Sequence, residues 1–215
     1  MNNISTRKTI RKYTNQDVSD ALLNHLLNLA EHTPTMGNLQ LYSVVVTRSE
    51  EMKRKLAPAH FNQPMVTSAP VVLTFCADFH RTTVWAEQRQ ATPGYDNFLS
   101  FINAITDTLL YTQTFCNLAE EEGLGTCFLG TTVYQPEQII DLLQLPRLVY
   151  HDYDAAAIDD IYAEKEALPE NKHFVEINHK QTLAQVFTDL RYTEKDNLAM
   201  SESMLHALRR QGFLK

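Results

Sequence analysis

The chain has 215 residues, 44% of them hydrophobic and 21% charged, a composition that fits one large folded domain or a domain with an extension and excludes wholesale disorder. A net charge of −7 offers no basic footprint for nucleic acid, and no apolar run approaches the roughly 18–20 residues of a membrane span. The N-terminal MNNISTRKTIRKY lacks the apolar core of a secretory signal, so the cytoplasm is the expected compartment. Cys76, Cys116 and Cys127 show no CxxC spacing and read as reduced thiols. Cys76, His60 and His80 match no zinc pattern, and no metal is expected.

The first cluster with chemical character is Arg7, Lys8, Arg11 and Lys12. If the backbone is extended there, Arg7, Thr9 and Arg11 point to one side, where two guanidinium forks and a hydroxyl suit phosphoryl oxygens; a solvated basic leader is the plain alternative. A helix is predicted after a cap at Asp17 or Ser19, with Leu22, Leu23, Leu26, Leu27 and Ala30 on its buried face. Pro34 ends it, and Gly37 permits a positive φ in the bend that follows. Thr35, Asn38 and Gln40 gather hydroxyl and amide groups within six residues, which suits the edge of a planar polar ligand, although ordinary turns select the same residues.

Ser43 to Thr47 reads as a β-branched strand, and SEEMKRKLAP as a helix with its charges in water. Ala69 to Ala77 is a nearly continuous apolar run, as in a central strand covered on both faces. Asp78, His80 and Arg81 follow its carboxyl end. Thr83 to Gly94, with Trp85, reads as a polar connection or short helix lining a pocket. Phe98, Phe101, Ile102, Ile105, Leu109, Thr112, Phe115, Cys116 and Ala119 then repeat at helical steps, and Gly123 is placed to close that helix. Gly125 to Gly130 reads as a short buried strand; it is no GxGxxG fingerprint. Pro136 opens a further helix that Pro146 ends. Tyr150 to Lys172 is acidic and weakly apolar, like an arm, and Met200, Met204, Leu205 and Leu208 mark a last amphipathic helix.

Three of these segments together resemble the FMN-dependent nitroreductase family over roughly Ile4 to Leu145. Arg7-Lys8-Thr9-Ile10-Arg11 is similar to its N-terminal R-x-[ST]-x-[RK] signature, Thr33 to Gln40 to its [AS]-P-[ST]-x-x-N-x-Q turn, and Gly123 to Gly130 to its GLG…G strand. The resemblance implies an α+β fold of three-layer α/β/α type, with a mixed, mainly antiparallel sheet flanked by helices. Residues 1–149 would form the FMN-binding domain, and 150–215 a C-terminal arm and helix embracing the second subunit of a homodimer. By the same resemblance Arg7, Lys8 and Thr9 hold the phosphate and ribityl chain, and Arg11 approaches the flavin N1 and C2 carbonyl. Thr35, Asn38 and Gln40 belong to the ring-contacting bend, Asn62 meets the pyrimidine edge, and Leu129 with Gly130 covers a ring face. NADPH or NADH gives hydride to flavin N5, and a nitroaromatic, quinone or similar flat acceptor takes its place in ping-pong order, with no protein side chain catalytic.

The sequence departs from the family pattern after Gly130. The apolar strand, Gly-Tyr-Pro-like turn and basic residue expected there are missing, because Gln144 to Val149 passes directly into Tyr150-His151-Asp152. Either another segment substitutes, with Arg147 as the replacement cation, or the chain is a shortened, flavin-deficient homodimer that binds ligands or partners without turnover.

Overall fold

The computed structural model describes residues 3–145 and 162–212. Helix α1 (Asp20–Ala30) starts where the Ser19 hydroxyl accepts the Leu22 N–H at 3.2 Å, and it buries Leu23, Leu26 and Ala30. Ser49 caps α2 (Glu50–Leu56) in the same way. Not all of that helix's charges reach water: Lys53 is 2% exposed, its ammonium donating to the Ala69 carbonyl at 2.7 Å and paired with Glu50 at 2.6 Å. A lysine stem can lie inside when its head finds an acceptor and a counter-charge. Helix α3 (Pro64–Ser68) leads toward the second strand.

Strands β1 (Tyr42–Thr47) and β2 (Val72–Ala77) pair in a two-stranded sheet, the extent of sheet among the described residues. The anticipated broad sheet is to that degree corrected, and β2 is mostly half-buried where full cover was expected. Gly125–Leu129 is not a strand. It is irregular and only partly buried, because a strand needs a ladder of partners and this segment has a single backbone bond to the leader, from Ile10 N–H to the Thr126 carbonyl at 2.9 Å.

Beyond β2, the Asp78 carboxylate accepts the N–H of His80 at 2.8 Å and of Arg81 at 3.4 Å, starting α4 (His80–Gln88). Asp78 is therefore a buried helix cap. Asn97 caps the long helix α5 (Phe98–Glu121) through the Ser100 N–H. Its second half follows the predicted stripe, burying Thr112, Phe115, Cys116 and Ala119, and adds Tyr111, which the stripe did not include; its first half buries Ser100, Ala104, Asp107 and Thr108 while Phe101 and Leu109 stand exposed. Small and hydrogen-bonded residues fill that side, so apolar periodicity alone misplaced it. Gly123, at φ 80°, ends α5 as expected. Helix α6 (Pro136–Leu143) closes on Gln144 in the left-handed region. Pro146, Arg147, the run from Tyr150 and the place expected for the missing strand lie outside the described residues.

The chain divides into two compact units, Met1–Cys76 with Asp107–Pro146, and Ala77–Thr106 with Arg147–Lys215. This grouping assigns residues 77–106 to the C-terminal unit, which a linear division at 149/150 does not do. In the first unit one core joins α1 and α5 through Leu23, Leu26, Ala30, Tyr42, Tyr111, Phe115 and Ala119, with Tyr42 and Tyr111 stacked at 4.0 Å; a second joins Leu56, Ala57, Ala59, Val66 and Ile139.

The second unit contains α4, α7 (Pro169–Ile177), α8 (Leu183–Val186) with a wider turn to Arg191, and α9 (Glu194–Arg210). Trp85 is a core residue: it is fully buried, stacked on Tyr162 at 4.4 Å, with its indole N–H donated to Glu166 at 2.9 Å. Tyr162 and Glu166 thus make the end of the acidic run part of a core. No helix among the described residues is long and apolar enough to cross a membrane.

Candidate functional site

The basic leader is irregular and lies against the segment after α5. Beyond the Ile10–Thr126 backbone bond, Gly125 passes so close under Ile10 that an added Cβ would sit 2.8 Å from its Cβ and Cγ2. Arg7 Nε pairs with Glu120 Oε1 at 3.3 Å, and the Thr126 hydroxyl donates to the same oxygen at 2.6 Å. Cys116 Sγ lies 3.1 Å from the Thr126 hydroxyl. Lys8 and Arg11 are exposed, and Thr9 is half-buried between them. Burial pushes the Tyr13 phenol up, with Cys127 adding to that shift and Arg11 opposing it, so these three side chains share one electrostatic neighbourhood.

The bend is built differently. Gly37, Asn38 and Gln40 all hold positive φ, at 56°, 51° and 53°, so the left-handed requirement foreseen for one residue extends to three. Such backbone persists only if fixed from outside. The fixing group is Asp107 of α5, 1% exposed, whose Oδ1 accepts the Met36 N–H at 3.0 Å and whose Oδ2 accepts the Leu41 N–H at 3.2 Å. Burial raises the Asp107 carboxyl above its ordinary range, and the two backbone bonds oppose the shift. Two candidate ligand contacts are spent within the bend: the Thr35 hydroxyl accepts the Gln40 N–H at 3.2 Å, and the Gln40 side-chain amide donates to the Glu31 carbonyl at 3.1 Å. Asn38 is exposed.

A third group forms around Asn62, which is exposed at φ 54° and donates its backbone N–H to the Ala57 carbonyl at 2.8 Å. Nearby His60, 4% exposed, meets the Thr131 hydroxyl through Nδ1 at 2.9 Å, and burial lowers its pKa. That bond brings the Asn62 turn beside Gly130, while Leu129 packs on the second core. The structure therefore joins Asn62 to Leu129 and Gly130, and Arg7 to the start of the same segment.

The bend does not join the leader within one chain. Its anchor, Asp107, and the leader's anchor, Glu120, are thirteen residues apart on one helix, an axial distance of about 20 Å. The sequence reading missed Asp107, Glu120 and the Thr126 hydroxyl. Asp107 did leave a signal, as the lone charged residue in an otherwise uncharged stretch of α5 before Glu120. Among the described residues no cluster of His, Cys, Asp or Glu could hold a metal ion.

Residues 4–153 match the nitroreductase family. The chain is 29% identical over 192 residues to an FMN reductase [NAD(P)H] of Bacillus subtilis strain 168, spanning 83% of this chain and 72% of that enzyme. An oxygen-insensitive NADPH nitroreductase of Salmonella typhimurium is 28% identical over 66% of this chain, which spans only 58% of that protein. Among solved structures, a Bacteroides fragilis NCTC 9343 protein provisionally assigned as an oxidoreductase shares 53% identity over the whole of both chains, with a TM-score of 0.68. The NADPH:FMN oxidoreductase of Vibrio harveyi, 19% identical with a TM-score of 0.63 over 87% of this chain and 95% of its own, shares the fold. Matched over most of its length by sequence and by fold, the chain belongs to the nitroreductase family.

Proposed function

We propose that the chain is an FMN-dependent oxidoreductase that passes reducing equivalents from NADPH or NADH to flat acceptors such as nitroaromatics or quinones. The observation that carries this reading is the docked leader. Arg7, Lys8, Thr9 and Arg11 place three cations and a hydroxyl on one short segment, and Glu120 pairs with Arg7, its Oε1 3.3 Å from Nε. Among the described residues the terminal amines of Arg7 donate no hydrogen bond, and a guanidinium paired with one carboxylate can offer them to a phosphate. These donors fit a phosphate-bearing flavin. Bound FMN supplies the hydride chemistry.

Around that group the chain's residues bind and orient. Arg7, Lys8 and Thr9 take the phosphate side, and Arg11 is the cation available to stabilise negative charge on a reduced ring. Asn62, Leu129 and Gly130, already grouped by the His60–Thr131 bond, offer a ring edge and a ring face. Thr35 and Gln40 act by shaping the bend, on which Asn38 is an exposed amide. The 20 Å between the two anchors supports a homodimer in which a second copy brings its bend to this chain's leader, and exposed Leu109 and Leu110 on α5 offer apolar surface for such a contact. The C-terminal helices are proposed to form the embracing arm, in the cytoplasm.

A visible spectrum of the purified protein, before and after NADPH, tests the reading. A flavin band that bleaches on reduction is expected; a colourless protein that FMN does not reconstitute would establish the flavin-deficient alternative. Arg11→Ala should lower flavin retention and slow reduction by NADPH, with stability changed by no more than about 0.5 kcal/mol because its side chain is exposed. Unchanged flavin content and reduction rate would remove Arg11 from the site.

A further inference from the structure

We infer that Glu120 is a positioning residue, which together with Thr126 holds the guanidinium of Arg7 so that its two terminal amines face an incoming phosphate. The inference rests on the flavin reading above and assigns to this pair the discrimination between phosphorylated and unphosphorylated flavin. Glu120 Oε1 lies 3.3 Å from Arg7 Nε and accepts the Thr126 hydroxyl at 2.6 Å, and Cys116 Sγ stands within 3.8 Å of that oxygen and 3.1 Å of the hydroxyl. The Glu120 side chain is 14% exposed and the Arg7 side chain 27%. A carboxylate so held cannot follow a mobile arginine, so the arginine is held by the carboxylate. Thr126 also accepts the Ile10 N–H, and one residue thereby fixes both the leader's backbone and its first cation.

Two effects of Glu120 on an anion oppose each other. Its negative charge beside Arg7 weakens the field that attracts phosphate, whereas its grip restricts the rotamers of a long side chain that would otherwise be ordered at the expense of binding. The pair's charges largely cancel at a distance, and the terminal fork is what a phosphate touches, so orientation should prevail. The sign of the change on removing Glu120 separates the two.

The experiment measures FMN and riboflavin affinity by flavin fluorescence on the full chain freed of flavin. Glu120→Ala should weaken FMN binding by about tenfold and leave riboflavin binding unaltered, and Glu120→Gln, which still offers an oxygen to Nε–H, should restore most of the preference. Thr126→Val should give a smaller loss in the same direction, and supplies the answer if Glu120→Ala does not fold. Equal weakening of both ligands, or FMN binding that is unchanged or tighter in the variants, would overturn the inference while leaving the flavin reading in place. A wild-type chain without preference for FMN over riboflavin would overturn both.

Discussion

The bend and the leader both carry residues expected at the flavin, and they are held in opposite ways. The bend is fixed through its backbone: three left-handed residues, two N–H groups on the buried carboxylate of Asp107, and the Thr35 and Gln40 side chains bonded to main-chain groups. The leader is held to the segment after α5 mainly through side chains, with the Arg7–Glu120 ion pair and the contact of Ile10 on Gly125 beside the backbone bond to Thr126. A rigid bend can present backbone and one exposed amide without moving. A leader whose cation is paired on one side can present its remaining donors to a phosphate. On the flavin reading proposed above, the bend would shape the ring side of the site through its backbone, and the leader would offer the phosphate side through side chains that Glu120 and Thr126 orient.

The contrast is broken most severely at Asp107. Asp107→Ala leaves the half-buried Met36 and the buried Leu41 N–H groups unpaired, each worth about 1–3 kcal/mol, so a loss of about 2–6 kcal/mol is expected in denaturant unfolding. Asp107→Asn keeps one oxygen acceptor and should recover part of it. If Asp107→Ala unfolds like the wild type, the bend is not fixed in this way.

A smaller effect is expected at the leader. In Gly125→Ala the new methyl group meets Ile10 at 2.8 Å, and a strained contact inside a well-packed region would cost about 1–3 kcal/mol. A terminal segment can instead lift away, which should keep the stability loss near about 1 kcal/mol. Trypsin should then cut faster between Arg7 and Lys12, and FMN affinity should fall. Unchanged cleavage and affinity would show that the leader is not seated on Gly125.

These two regions also mark what the sequence discloses. Helices bounded by Ser19, Gly123 and Pro136 were legible because caps and breakers act locally, and the bend at Pro34–Gly37 was legible for the same reason. Asp107 and Glu120 were not, since their partners lie far away in sequence and periodicity treats a polar residue on a helix as solvent-facing. The first half of α5 was misread for that cause: Ser100, Asp107 and Thr108 go inside because they find hydrogen-bond partners there. The strand expected at Gly125–Gly130 failed from the opposite side, its residues suiting a strand but lacking a ladder among the described residues. The basic leader was legible in composition as a cluster suited to an anion, and its pairing with Glu120, 113 residues away, was not.

The smallest effect should come from acid, at the group that joins Asn62 to Gly130. Burial lowers the pKa of His60 from its ordinary 6.5, so the unfolded chain takes up a proton before the folded one does. The stability tied to neutral His60 is then complete above about 6.5, declines as pH falls below that value, and is lost once pH has passed the folded pKa. Asp107 works in the other direction, because a carboxyl raised above 3.8 favours the folded state at low pH and loses that advantage as pH rises through its folded pKa. Subtracting the unfolding curve of His60→Asn from that of the wild type at each pH isolates the imidazole from this opposing trend. A difference that shrinks on acidification below about 6.5, together with weaker FMN binding in the same range, would place the Asn62–Gly130 junction at the flavin; a difference flat from pH 8 to 5 would mean that His60 is not held neutral by its burial.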